Sequence, residues 1–308
     1  MVTAAHQLNS VYIDTDAVAA TTIGGITRKT INTGVDIIKE NNSGSMYPEA
    51  AYVSNASPSA SLTTTHCEEI LVPVGVRAMC ITSATNTGVH LWARKLLCSG
   101  IAAGGSHQKY TFRNGILIPT TLTCNHQGNA AIDFQIFGVA LSALAAMVVA
   151  TDQAILTDNT VNTDRWTLWS ASVGGTALGG QKNVSINFGN TPLLESADGD
   201  MAPTFASVQE TAPMFTFRGI DPVGWWVASG GLAGVGCTHA NTIIYLKQRG
   251  IAVGDSAHIK ITAAGLAYSQ QAFDASGNAT GEMDLIVECT EDSAGTAPMT
   301  ITVNSAIS

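Results

Sequence analysis

The chain has 308 residues, 12% of them charged and 45% apolar, and its 14 basic and 23 acidic residues leave a net charge of −9. The charged share is about half the usual quarter, too little to cover a fully solvated surface, so burial against other copies of the chain is expected. The acidic balance and the lack of any basic run argue against sequence-independent nucleic-acid binding, while leaving DNA free to pass nearby without adhering.

The length suits two domains, each with its own core. In chain order, the first segment, Met1-Val-Thr-Ala-Ala-His-Gln-Leu-Asn-Ser10, lacks a basic stretch followed by an apolar one, so a signal peptide is not expected there. The apolar run Ile136–Ala150, bracketed by Asp133 and Asp152, falls short of the ~20 residues of a membrane span. It reads instead as a buried strand running into a short helix or an interface segment, which makes Ile136, Leu141 and Leu144 interface candidates. A joint near residues 152–165 separates a first unit, 1–151, from a second, 166–308. Trp225 and Trp226 follow Pro222-Val-Gly224 where a strand should begin, so one ring is expected inward and the other outward as an interface anchor. Trp166 and Trp169 are further candidates for that role.

Towards the carboxyl end, His258–Thr262, Glu282–Glu288 and Met299–Val303 alternate as half-buried strands do. Turn-rich clusters such as Asp274-Ala-Ser-Gly-Asn278 separate them. The predicted fold class is mainly β: two tandem antiparallel sandwich or barrel units, with room for one short helix of about ten residues in each.

An internal repeat carries this division. An offset of 155 aligns residues 21–63 with 176–218 without a gap and with thirteen identities, Gly and Pro prominent among them. Gly24, Gly34, Met46, Pro48 and Pro58 meet Gly179, Gly189, Met201, Pro203 and Pro213. Such residues recur where backbone geometry dictates the choice. At an offset of 150, Gly100-Ile-Ala-Ala-Gly-Gly-Ser106 meets Gly250-Ile-Ala-Val-Gly-Asp-Ser256, and Gly115 meets Gly265. Two long units make a duplication, not a solenoid.

Catalytic and metal-binding patterns are weak. His66-Cys67 and Cys237-x-His239 supply two zinc ligands each, without the four of a closed site. Glu68-Glu69 and Asp198-Gly-Asp200 read as solvated turns; the latter lacks the other oxygen ligands of a calcium loop. No nucleophile elbow, zinc-protease, Walker or dinucleotide motif occurs. The six cysteines lack CxxC spacing and are unevenly split between the units, so reduced, mostly buried thiols are expected. Neither enzyme activity nor a cofactor is predicted.

The second unit carries Thr242-Ile-Ile-Tyr-Leu-Lys-Gln-Arg249, Ala257-His-Ile-Lys-Ile-Thr262, Gly265-Leu266 and Ala297-Pro-Met-Thr-Ile-Thr-Val-Asn-Ser-Ala-Ile307. Leu91-Trp-Ala-Arg-Lys-Leu96, Asn114-Gly-Ile-Leu-Ile-Pro119 and the entry segment from Gly24 to Asp36 echo it in the first. Together these resemble the tail tube family of long-tailed bacteriophages. The resemblance implies a virion protein, assembled in the host cytoplasm, whose rings stack into a tube that conducts DNA. Most such proteins carry one domain and form hexamers; a doubled domain implies trimeric rings with pseudo-sixfold symmetry. The implied partners are further copies of the chain, a tape-measure protein during assembly, and passing genomic DNA. Strands lining the channel are expected to present acidic and small polar side chains, with Asp133, Glu282, Asp284 and Glu288 as candidates. The alternatives are a capsid protein with two tandem jelly rolls and, less favoured, a carbohydrate-binding or adhesive module.

Overall fold

Alternation of buried and exposed side chains defines the strands, because successive residues of an extended chain point to opposite faces. In Ala131–Gly138 and Met214–Gly219 every second residue is buried. A computed structural model describes residues 5–15, 18–41, 43, 46–82, 88–97, 100–102, 104–141, 145–154, 164–197, 200–221, 224–226, 239–269, 274–275, 281–291 and 297–307.

The first half supplies β1 (Ala5–Thr15), β2 (Val18–Ile23), β3 (Ile26–Asn32), β4 (Val35–Glu40), β5 (Ala50–Ala56), β6 (Ser59–Thr64), α1 (Cys67–Val74), β7 (Met79–Ile81), β8 (Gly88–Leu97), β9 (Gly100–Ile101), β10 (His107–Phe112), β11 (Gly115–Asn125), β12 (Ala131–Gly138) and β13 (Val148–Gln153). The second half supplies β14 (Trp166–Val173), β15 (Thr176–Ala177), β16 (Gln181–Asn187), β17 (Asn190–Glu195), β18 (Phe205–Thr211), β19 (Met214–Gly219), β20 (His239–Gln248), β21 (His258–Tyr268), β22 (Met283–Cys289) and β23 (Met299–Ser305). The protein is mainly β, and its large sheets are antiparallel. Glu68 and Glu69 occupy the first turn of α1, where negative charge suits the helix dipole. Ile70, Leu71 and Val74 bury its inner face, and Gly75 ends it. The second half has a helical turn at residues 224–226.

One strand path occurs twice. In the first half β2, β1, β8 and β10 are successive neighbours; β10 also pairs with β13 and leads into β11, which continues through β12 and β6 to β3. In the second half β15, β14, β20 and β21 follow the same order; β21 also pairs with β23 and continues through β22 and β19 to β16. The long strand β21 stands where the first half has β10 and β11.

Local geometry recurs with the path. Gly34 and Gly189 have φ of 60° and 61°. Their N–H groups donate to the side chains of Asn32 (3.0 Å) and Asn187 (2.9 Å). An added β-carbon would collide with the carbonyl of Ser57 at the first and of Ala212 at the second. Gly138 N donates to Pro58 O (3.0 Å), and Cys289 N to Pro213 O (2.9 Å). His107 Nδ1 accepts from Lys95 N (3.0 Å), and His258 Nδ1 from Gln248 N (3.1 Å). Pro48 and Pro203 each lie two residues before a returning strand, β5 and β18.

Two details depart from the sequence-based boundaries. β13 runs through Gln153, past the expected end of the first unit at residue 151; residues 155–163 of the linker lie outside the described residues. The halves do not have separate cores, because one continuous apolar cluster draws on both. Their joint is a strand pair, β11 with β16, from Thr121 opposite Asn187 to Asn125 opposite Asn183.

Positive φ and a blocked β-carbon position make alanine costly at either glycine. Gly34→Ala and Gly189→Ala are each expected to destabilise the fold by about 1–3 kcal/mol. Urea titration of both variants checks this; the two losses should be alike, because the surroundings are.

Candidate functional site

Cross-strand partners in an antiparallel sheet point to the same face, so the registers trace a surface across the joint. Arg28, Thr30 and Asn32 of β3 stand opposite Thr63, Ser61 and Ser59 of β6. Thr63 and Ser61 face Asp133 and Gln135 of β12, and Asp133 faces Thr121 of β11. Thr121, Thr123 and Asn125 then meet Asn187, Ser185 and Asn183 of β16. Ser185 and Asn183 lie opposite Thr216 and Arg218 of β19, which in turn face Ile286 and Asp284 of β22. Glu288 lies opposite Met214 at the end of the same row. The result is one broad face of small hydroxyl and amide side chains. The reverse of these strands carries Leu62, Phe134, Leu122, Val184, Ile186, Phe215, Phe217, Leu285 and Val287, all in the core.

Charges on this face are few and mostly engaged. Asp133 accepts a hydrogen bond from the Thr63 hydroxyl and shares a cleft with Arg28, Thr30 and Gln135. Glu282, at the margin, pairs with Lys182 and accepts from Arg218 Nε at 2.5 Å. Hydrogen bonds from Lys182 and then Arg218 hold its carboxyl below the ordinary value, and the Glu282 bond raises Arg218. Asp284 lies 3.9 Å from Arg218 Nε. Glu288 accepts from the Tyr268 hydroxyl at 2.7 Å, which raises the phenol above its usual value. Asp133, Asp284 and Glu288 thus share the polar face, with Glu282 beside it.

The interface candidates separate. Trp225 is fully buried within its own chain, donating its indole N–H to Gly179 O at 2.8 Å, and so offers no surface to another copy. Trp226 is half-buried against the core. Ile136 is also a core residue: β12 places it on the inner face. Leu141 is exposed, whereas Leu144 lies outside the described residues. The run read as a buried strand leading into a short helix or an interface segment comprises the end of β12 and the start of β13, with no helix among its described residues. Trp166 is buried; Trp169 is exposed beneath the Lys247 ammonium, 4.4 Å from the ring centroid.

Two exposed hairpins escaped sequence reasoning. β4 with β5 and β17 with β18 form separate two-stranded arms. The first exposes Ile37, Ile38, Met46, Tyr47 and Tyr52, the second Met201 and Phe205. The paired Met-x-Pro segments at their tips were the available signal.

Of the catalytic and metal patterns, Cys237 and Asp198 lie outside the described residues. His66 Nδ1 lies 3.2 Å from both carboxylate oxygens of Glu69, and Glu69 accepts from Gly24 N at 2.9 Å, an arrangement that ties α1 to the start of β3. Among the described residues no group of three or more His, Cys, Asp or Glu is placed to hold a metal ion. No helix among them is long and apolar enough to cross a membrane. No protein-family model matches the chain, and no curated protein matches it.

Cys67 and Cys124 are buried, while Cys80 is exposed. Burial pushes the Cys67 thiol up to about 12 and Cys124 well above its usual value, so neither forms appreciable thiolate at neutral pH. Maleimide at pH 7 with peptide mapping is expected to modify Cys80 and to leave Cys67 and Cys124 intact until denaturant is added. For Glu282, a pKa depressed by folding means that its stabilisation is complete above the ordinary value of 4.5 and is lost as pH falls below it. Melting curves of the native chain and Glu282→Gln should therefore differ at neutral pH and converge in acid.

Proposed function

We propose that this chain is a virion structural protein, the subunit of a bacteriophage tail tube. An internal duplication gives each chain two equivalent units, and three chains close a pseudo-hexameric ring. Rings stack around a channel that conducts DNA. The observation that carries this reading is the polar sheet face, which crosses from one half to the other through the β11–β16 pair and stops at β3. No strand pairs with the outer edge of β3 among the described residues, although its counterpart β16 is paired on both sides. An open strand edge is a natural place for another chain to add. Head-to-tail repetition of one joint closes a ring when the rotation permits.

A conduit must not retain DNA, since each phosphate contact adds affinity through counterion release. A face of Thr, Ser and Asn, with Asp133, Asp284 and Glu288, an Arg28 that shares its cleft with Asp133, and an Arg218 held by carboxylates, meets that need. The role requires no catalytic residue and no cofactor. Its partners are further copies, a tape-measure protein during assembly and the passing genome; its place is the virion tail, after assembly in the host cytoplasm.

Negative-stain microscopy of purified protein should show tubes of stacked rings with a central channel. Flat capsomers or closed shells would favour a double jelly-roll capsid protein instead. Assembled native protein is expected to retain no duplex DNA at physiological salt. The triple variant Asp133→Lys, Asp284→Lys, Glu288→Lys should bind DNA, its log affinity falling against log salt with a slope of about −0.9 per phosphate engaged.

A further inference from the structure

The second arm is already docked inside the chain. Ala56 N donates to Met201 O, and Ala140 N to Pro203 O, both at 2.7 Å. The tip of β17–β18 thereby sits against the end of β5 and the segment leaving β12. Both sides of this contact recur elsewhere in the molecule without having met. Ser57 N donates to Gly34 O as Ala212 N does to Gly189 O, so Thr211 takes the place of Ala56. Val139 N donates to Asn114 O at 3.0 Å as Thr290 N does to Ala264 O at 3.0 Å, so Glu291 takes the place of Ala140. Thr211 and Glu291 line a cleft of about 430 Å³ together with Pro213, Cys289, Ala297 and Pro298. The matching tip is Met46-Tyr-Pro48 on the first arm, where Met46 is 89% and Tyr47 76% exposed.

We propose that this tip enters the Thr211–Glu291 cleft of a second copy of the chain. Met46 O then accepts from Thr211 N and Pro48 O from Glu291 N, repeating the internal contact between chains. The sense agrees with the strand joint: the second half presents both its arm and its edge strand β16 to the first half. The arm and edge strand β3 of the first half are left for the second half of another copy. Repetition of a heterologous contact in one sense gives a ring. The inference rests on the assembly proposed above and names its joint.

Hydrogen exchange of dispersed and assembled protein tests it directly. Amides of Thr211 and Glu291 should exchange about tenfold more slowly, or slower still, in the assembled state, while those of Ala56 and Ala140 are protected in both. Met46→Asp exchanges an apolar side chain for a carboxylate that must shed water in a cleft where Glu210 and Glu291 outnumber Arg77. It should raise the concentration for half-assembly about tenfold or more and leave the Tm of the single chain unchanged, because Met46 is exposed there. Assembly with unaltered exchange at Thr211 and Glu291, and with Met46→Asp assembling like the native chain, would overturn the docking while sparing the assembly. A native chain that never assembles would overturn both.

Discussion

The β11–β16 ladder is the contact on which the rest of the molecule depends. Its register places Leu122 opposite Ile186 and Cys124 opposite Val184, and all four side chains are buried. The cores of the two halves are therefore joined through the same strands that join their sheets. Because side chains alternate at a period of two, that register also sets Thr121, Thr123 and Asn125 beside Asn187, Ser185 and Asn183. A slip of one residue would turn Val184 and Ile186 outward and break both faces at once. One backbone pairing thus explains the shared core and the unbroken polar surface.

The halves differ where they are not joined to each other. Val184 and Ile186 are fully buried in β16, whereas their counterparts in β3, Lys29 and Ile31, are exposed and half-buried. Among the described residues β16 has a strand on both sides and β3 on one. The arms follow the same logic: the tip of β17–β18 finds hydrogen-bond donors within the chain, while the tip of β4–β5 holds Met46 in solvent. An exposed apolar tip is a cost for an isolated molecule. In the proposed ring, a neighbouring copy removes it.

Much of this was legible from glycine and proline. Gly34 and Gly189 recur because a positive φ and a blocked β-carbon site admit little else. Pro48 and Pro203 recur because both arms return at the same point. Strand alternation exposed the strands around Glu282–Glu288 and His258–Thr262 for the same local reason. Distant contacts were not legible. Lys182 and Glu282 lie 100 positions apart in the chain and meet only through sheet register. Trp225, which resembles an interface anchor in sequence, is buried because Gly179 offers its carbonyl across 46 residues. Ile136 and Leu141 belong to one apolar run, yet one is core and the other is exposed, since a strand end divides them.

Whether three chains close a ring is read from the mass of the smallest closed species in solution. Native mass spectrometry over a range of protein concentrations should give a species of three times the 31.9 kDa chain mass, with larger species at multiples of it. A stable single chain that persists at high concentration would contradict the account, because β3 and the first arm would then remain uncovered in the functional molecule.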